Sequence, residues 1–131
     1  MNEKDEFYKF EAICITSFFD EDSDCWTVAF ANDNTPSPEK YLILQRAVDD
    51  DDLYYYEVCS REYSGNGGFK KVTVTNKDLE IIFSEELINK FECKGLLIKF
   101  TKDAQFFSEA IQSLNHIFIQ SDCNLSTKLS S

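Results

Sequence analysis

Short runs of aromatic and β-branched residues, each bounded by Asp, Asn, Gly, Pro or Ser, recur along most of this chain. That punctuation constrains the fold more than any other feature, because runs of this length and period make strands rather than helices. Residues 25–31 alternate, with Trp26, Val28 and Phe30 on one face and Thr27 and Ala29 on the other. Residues 69–75 alternate as well, Val72 and Val74 inward, Lys71, Thr73 and Thr75 outward. Residues 40–46 are apolar on both faces and predict a central strand. Residues 7–18, 53–61, 79–83 and 95–100 also read as extended, and 69–83 reads as a hairpin turning at 76–78. The breaks are an acidic turn at 20–24, a loop at 32–39 with Pro36 and Pro38, and a glycine-rich turn at 64–68.

Two windows depart from this pattern. Ser84 followed by Glu85 and Glu86 predicts a helix start, since a hydroxyl accepts from free N–H groups and carboxylates favour the positive end of the dipole. Leu87, Ile88 and Phe91 give this short helix, near 85–91, an apolar side. Residues 103–118 form the clearer helix, with Thr101 as its cap. Phe106, Phe107, Ala110, Ile111, Leu114, Ile117 and Phe118 fall within one arc of about 140° at 3.6 residues per turn. The expected fold is α+β: a mostly antiparallel sheet of about six to seven strands, with the C-terminal helix packed on it. The whole chain, 1–131, reads as one domain, with a polar, frayed tail from about residue 121. Apolar residues make up 43%, enough for a core and too many for a disordered chain.

The net charge of −11 is unevenly placed. Residues 1–62 hold sixteen acids and five bases, residues 63–131 eight of each, so the whole excess sits in the first half. Much of it lies in two clusters: Asp20, Glu21, Asp22 and Asp24, and then Asp49, Asp50, Asp51 and Asp52. Such a chain repels phosphate backbones and anionic lipid, so neither nucleic acid nor a membrane is an expected partner; cationic proteins are. Residues 1–10 lack the basic start and apolar run of a signal peptide, and no window reaches the length of a membrane span, so the chain is expected to stay in the compartment where it is made.

Catalytic and metal signatures are weak. His116 is the sole histidine and falls on the polar arc of the last helix, which excludes a multi-histidine metal site. Asp20, Asp22 and Asp24 start like a calcium loop, but Cys25 stands where that loop needs Gly and Ala31 where it needs Glu. The glycines at 65, 67 and 68 open a strand and lack a following Lys-Ser/Thr, so they make no phosphate cradle. Five cysteines with no CxxC pair argue against a disulfide framework and a zinc cluster; Cys14, Cys25, Cys59 and Cys93 read as small buried hydrophobes. No cofactor and no enzymatic activity are expected. Tyr54, Tyr55 and Tyr56 alternate across a strand beside the four-aspartate loop, and a rigid ring with a polar tip makes a good contact residue. The expected partner-binding face is therefore Asp49, Asp50, Asp51 and Asp52 with Tyr54, Tyr55 and Tyr56, assisted by Asp20, Glu21, Asp22 and Asp24.

Tyr41-Leu42-Ile43-Leu44-Gln45-Arg46, the acidic loop, the tyrosine-rich strand and Tyr63-Ser64-Gly65-Asn66-Gly67-Gly68 together resemble the bacterial immunity protein family 10. The hairpin at 69–83 and the strand at 96–100 follow in the same order, and the resemblance spans roughly residues 10–118. It implies a cytoplasmic antidote that binds and blocks one cognate toxin of a polymorphic or contact-dependent growth-inhibition system. Many such toxins are nucleases with basic clefts, which an acidic antidote can fill. Two other readings stay open on the residues alone: another acidic adaptor or nucleic-acid mimic, and a small-ligand module or carboxylate-based enzyme. Selectivity for a single toxin separates the first, and a deep pocket with two converging carboxylates the second.

Overall fold

A computed structural model describes residues 6–33, 35–36, 38–47, 54–101, 107–119 and 123–128. Within them the chain runs β1 (Phe7–Ala12), β2 (Cys14–Asp20), β3 (Cys25–Ala31), β4 (Tyr41–Ala47), β5 (Tyr55–Val58), β6 (Ser60–Asn66), β7 (Phe69–Thr75) and β8 (Asp78–Phe83). Helix α1 (Glu85–Phe91), β9 (Gly95–Phe100), α2 (Phe107–Phe118) and β10 (Asn124–Lys128) complete it. The structure is mostly β with the two expected helices, but among the described residues the strands divide into two five-stranded sheets rather than one sheet of six to seven. One, ordered β2-β3-β4-β5-β6, is antiparallel throughout. The other, ordered β1-β9-β8-β7-β10, is mixed, because β1 joins β9 and β10 joins β7 in parallel.

The split has a local cause. The extended run at 7–18 is two strands, and the chain changes sheets at Ile13, whose N–H donates to Ala31 at 2.9 Å while Ala12 accepts from Thr101. Alternation along a strand reports which face is buried, not which neighbour shares its hydrogen bonds. The tail differs for a related reason. Residues 124–128, read as frayed, form β10 and cover the edge of β7, with Cys123 buried and Leu125 half-buried. A polar sequence still carries a full set of backbone donors and acceptors, and an open sheet edge supplies their partners.

The two inner faces and α2 enclose one core. Phe30 of the antiparallel sheet stacks on Phe100 of the mixed sheet at 5.8 Å between ring centres, and Tyr54 and Tyr56 meet Phe69 at 5.2 and 5.4 Å. Helix α2 covers the β2–β4 part of the antiparallel sheet and buries Ala110, Leu114, Ile117 and Phe118, each large side chain contributing about 1.5–3 kcal/mol. The start of the long helix, residues 102–106, lies outside the described residues. Small side chains let α2 come close: Ser17 of β2 hydrogen-bonds Ser113 at 2.5 Å and donates to the Glu109 carbonyl at 3.0 Å. The far end of α2 is held by Arg46, which donates to the Ile117 carbonyl at 2.9 Å and to that of Ile119. A buried guanidinium there satisfies carbonyls that the helix leaves open and matches the negative end of its dipole. At α1, Ser84 holds the N-cap position but its hydroxyl makes no capping bond. The glycine-rich turn is shorter than expected: residues 64–66 extend β6, and only Gly67 and Gly68, both at positive φ, link it to β7.

Candidate functional site

The β2–β3 hairpin places Asp20, Glu21, Asp22 and Asp24 in an exposed turn at one end of the antiparallel sheet. Asp20 accepts from the Asp22 N–H at 3.0 Å, and Asp24 has a positive φ of 50°. Asp49, Asp50, Asp51 and Asp52 lie outside the described residues. The residues flanking that segment, Ala47 and Tyr54, are described. Ala47, the last described residue of β4, pairs with Cys25, which pairs with Asp20 at the start of the acidic turn.

The tyrosines separate by face. Tyr54 and Tyr56 point inward and are each 2% exposed; the Tyr54 hydroxyl accepts from the Phe69 N–H at 2.7 Å, and that of Tyr56 accepts from Lys90 at 3.2 Å. Neither offers its ring to solvent, because positions 54, 56 and 58 share the face that packs on Leu42, Leu44 and Phe69. Tyr55 points outward and is half-buried. The exposed rings at the acidic end are instead Phe18, 49% exposed, and Phe19. Phe19 leans on Trp26 at 4.8 Å, and Trp26 stacks face to face on His116 at 4.0 Å. Phe18 closed the run 7–18 that read as extended, and Phe19 lay just beyond it; position 18 needed the β2–β3 register to show that it faces away from the core.

A second feature lies further along the same outer face. Glu57 receives the Tyr41 hydroxyl at 2.5 Å on one carboxylate oxygen and the Tyr55 hydroxyl at 2.6 Å on the other. These bonds, Tyr41 first, hold its carboxyl below the usual carboxylate range, and Arg61 on β6 adds a through-space attraction. Burial, then Glu57, pushes the Tyr41 phenol up to about 12; the bond to Glu57 chiefly raises Tyr55. Glu57 and Tyr41 line a hollow of about 430 Å³ floored by Ala29, Ala31 and Ile43 and walled by Pro36 and Pro38. The pair Tyr55 and Glu57 was legible as two same-face positions of one strand, whereas Tyr41 comes from the next strand and needed the register.

Another hollow, of about 400 Å³, opens where β1, the Cys59 bulge and the end of α1 meet, lined by Phe7, Tyr8, Cys59, Tyr63, Phe91 and Cys93. Cys59 takes a positive φ of 63°, and its sulfur lies 3.5 Å from the Tyr8 hydroxyl. Burial raises the Tyr8 phenol and the Cys93 thiol, and pushes Cys123 up to about 12. Groups held in their neutral forms are poor nucleophiles at neutral pH. Of the cysteines, Cys93 and Cys123 are buried and Cys14, Cys25 and Cys59 only half-buried. Among the described residues, no three His, Cys, Asp or Glu side chains group as metal ligands, and no helix is long and apolar enough to cross a membrane.

The outer sheet face thus combines a carboxylate held by two hydroxyls with an acidic turn at one end. The sequence model of the family described as Immunity protein 10 matches residues 11–106. The chain belongs to the Immunity protein 10 family. That match takes in β2 through β9 and therefore the whole antiparallel sheet, including Asp20 and Glu57. Membership implies a toxin immunity protein, which binds a cognate toxin and acts as an inhibitor rather than an enzyme. No curated protein matches the chain.

Proposed function

We propose that this Immunity protein 10 family member neutralises a basic, nuclease-type toxin domain in the cytoplasm of the cell that makes it, using the acidic end of its antiparallel sheet. The observation that carries the reading is Phe18, half-exposed on the outer face and two residues before a turn of exposed carboxylates. Carboxylates steer a cationic partner and speed association; a ring supplies the desolvated contact that charge alone does not. Asp49, Asp50, Asp51 and Asp52 extend the acidic rim in this reading. Tyr55 contributes from the outer face, while Tyr54 and Tyr56 serve by holding the strand. A cleft built to hold phosphates offers the matching positive charge.

The test is growth of cells expressing the toxin domain encoded beside this chain, with and without the chain, together with binding kinetics at two salt concentrations. Replacing Asp20, Glu21, Asp22 and Asp24 with Asn or Gln is expected to slow association and flatten its salt dependence while leaving the fold intact. Unchanged association rate and salt dependence would place the contact elsewhere. Equal binding to unrelated nucleases would favour a general nucleic-acid mimic.

A further inference from the structure

We infer that the hollow over Ala29, Ala31 and Ile43 is the socket for an arginine side chain of the toxin, with the Glu57 carboxylate as its counter-charge. The inference rests on the toxin-binding reading above and deepens it by naming what the sheet face grips.

Three observations converge. First, both oxygens of Glu57 are already oriented, one by Tyr41 at 2.5 Å and one by Tyr55 at 2.6 Å. Each phenol uses one lone pair, and each carboxylate oxygen has two, so each oxygen keeps one with which to accept a further bond. A guanidinium fork addresses two such oxygens at once, which a single ammonium does not. Second, the floor is small and apolar. Ala29 and Ala31 leave room beneath Tyr41 and Ile43, and Pro36 and Pro38 form a wall. The stem of an arginine is three methylenes, and its planar head stacks on aromatic faces, so such a mixed lining suits it. Third, the strand rows across this face, Thr16, Ala29, Ile43, Glu57, Ser64 and Phe18, Thr27, Gln45, Tyr55, Asn66, hold no lysine or arginine. Arg61 of β6 attracts Glu57 through space but stands outside these rows and outside the lining of the hollow.

The hollow and the acidic turn belong to one continuous face. β2 runs from Cys14, level with Ala31 and Tyr41, to Asp20 at the acidic end. Six steps along a strand span about 20 Å, within the footprint of an ordinary protein interface. Carboxylates at one end would guide the toxin in, and Glu57 at the other would hold it. Preorientation matters because a carboxylate that need not be ordered on binding loses less of its interaction energy to entropy.

Glu57→Gln keeps the shape and removes the charge; Ala31→Leu keeps the charge and fills the space. With the neighbouring toxin domain as ligand, each folded variant is expected to bind about 10- to 100-fold more weakly, mainly through faster dissociation. Circular dichroism and thermal melts establish folding first. A second arm uses no toxin: N-acetyl-arginine amide titrated into the isotope-labelled chain should shift the backbone amides of Ala29, Ala31 and Ile43 saturably. Glu57→Gln should abolish those shifts, and the neutral isostere N-acetyl-citrulline amide should not produce them. Unchanged toxin affinity in both folded variants overturns the socket. If the wild-type chain does not bind the toxin at all, the toxin reading fails instead, and the arginine titration alone decides whether the hollow takes a guanidinium.

Discussion

The two sheets share one core, yet their outer faces are built on opposite plans. Across the mixed sheet, Glu11, Lys99 and Asp78 stand in one row, and Lys9, Leu97, Glu80, Thr73 and Ser126 in the next, with Lys71 and Lys128 nearby. Opposite charges facing each other across strands stabilise a solvated sheet by about 0.2–1 kcal/mol per pair. The antiparallel sheet carries Ala29, Ala31, Ile43, Thr16, Tyr41 and Phe18 on its outer face, with acidic charge at Asp20 and Glu57. The division follows the chain: the acidic half supplies the antiparallel sheet up to the first residues of β6, and the electrically balanced half supplies the mixed sheet except β1. A face of mixed charges is satisfied by water and by itself. A face of small and aromatic residues with unbalanced acid is, in the reading proposed above, the one that takes a cationic partner.

That contrast breaks most decisively if the mixed sheet turns out to carry binding rather than architecture. Gly95 of β9 lies so close to β8 that a Cβ would sit 1.8 Å from the Ile81 carbonyl oxygen. Gly95→Ala is therefore expected to cost at least about 3 kcal/mol in urea unfolding, with toxin affinity lost only in step with folding. Next in size is Arg46→Ala, on the inner side of the antiparallel sheet. It strands the carbonyls of Ile117, in α2, and Ile119, just past it, and should cost about 2 kcal/mol of stability. Far-ultraviolet and near-ultraviolet melts should show α2 loosening from β4.

The outer faces themselves are compared by Phe18→Ala and Lys99→Ala. Phe18→Ala should leave stability within about 0.5 kcal/mol and weaken toxin binding by about 1–2 kcal/mol. Lys99→Ala, exposed on the mixed sheet, should move neither by more than about 0.5 kcal/mol. An equal loss from both variants would erase the distinction between the faces.

The smallest effect concerns pH. Glu57 titrates below its usual value of 4.5 in the folded state. Its contribution is thus fully present above pH 4.5 and lost as pH falls through the lower folded value. Tyr41 titrates above its usual 10.0, so its contribution is complete below pH 10 and lost as pH rises toward about 12. Stability measured from pH 3 to 12 should show a shallower acid limb in Glu57→Gln than in the wild type, while Tyr41→Phe should flatten the alkaline limb above pH 10.

Local pattern carried much of this molecule. Period-2 alternation located β3 and β7, the turn at 76–78 located β8 as the returning strand of a hairpin, the apolar stripe located most of α2, and Ser84 with two glutamates located the start of α1. The charge count alone marked the acidic half and the exposed turn at its tip. These are properties of a residue and its near neighbours, so they can be read along a line. Sheet membership cannot, because a strand's hydrogen bonds go to residues far away in the chain. Ile13 therefore passed for mid-strand when it is where the chain leaves one sheet for the other, and the polar residues 124–128 passed for a loose end when β7 had an edge to cover. The same limit governs the site. Tyr54, Tyr55 and Tyr56 look equivalent in sequence, but packing against Leu42, Leu44 and Phe69 takes the outer two into the core and leaves Tyr55 with Glu57 outside. Only the β4–β5 register brings Tyr41 to that carboxylate from 16 positions away, and with it the hollow that neither strand forms alone.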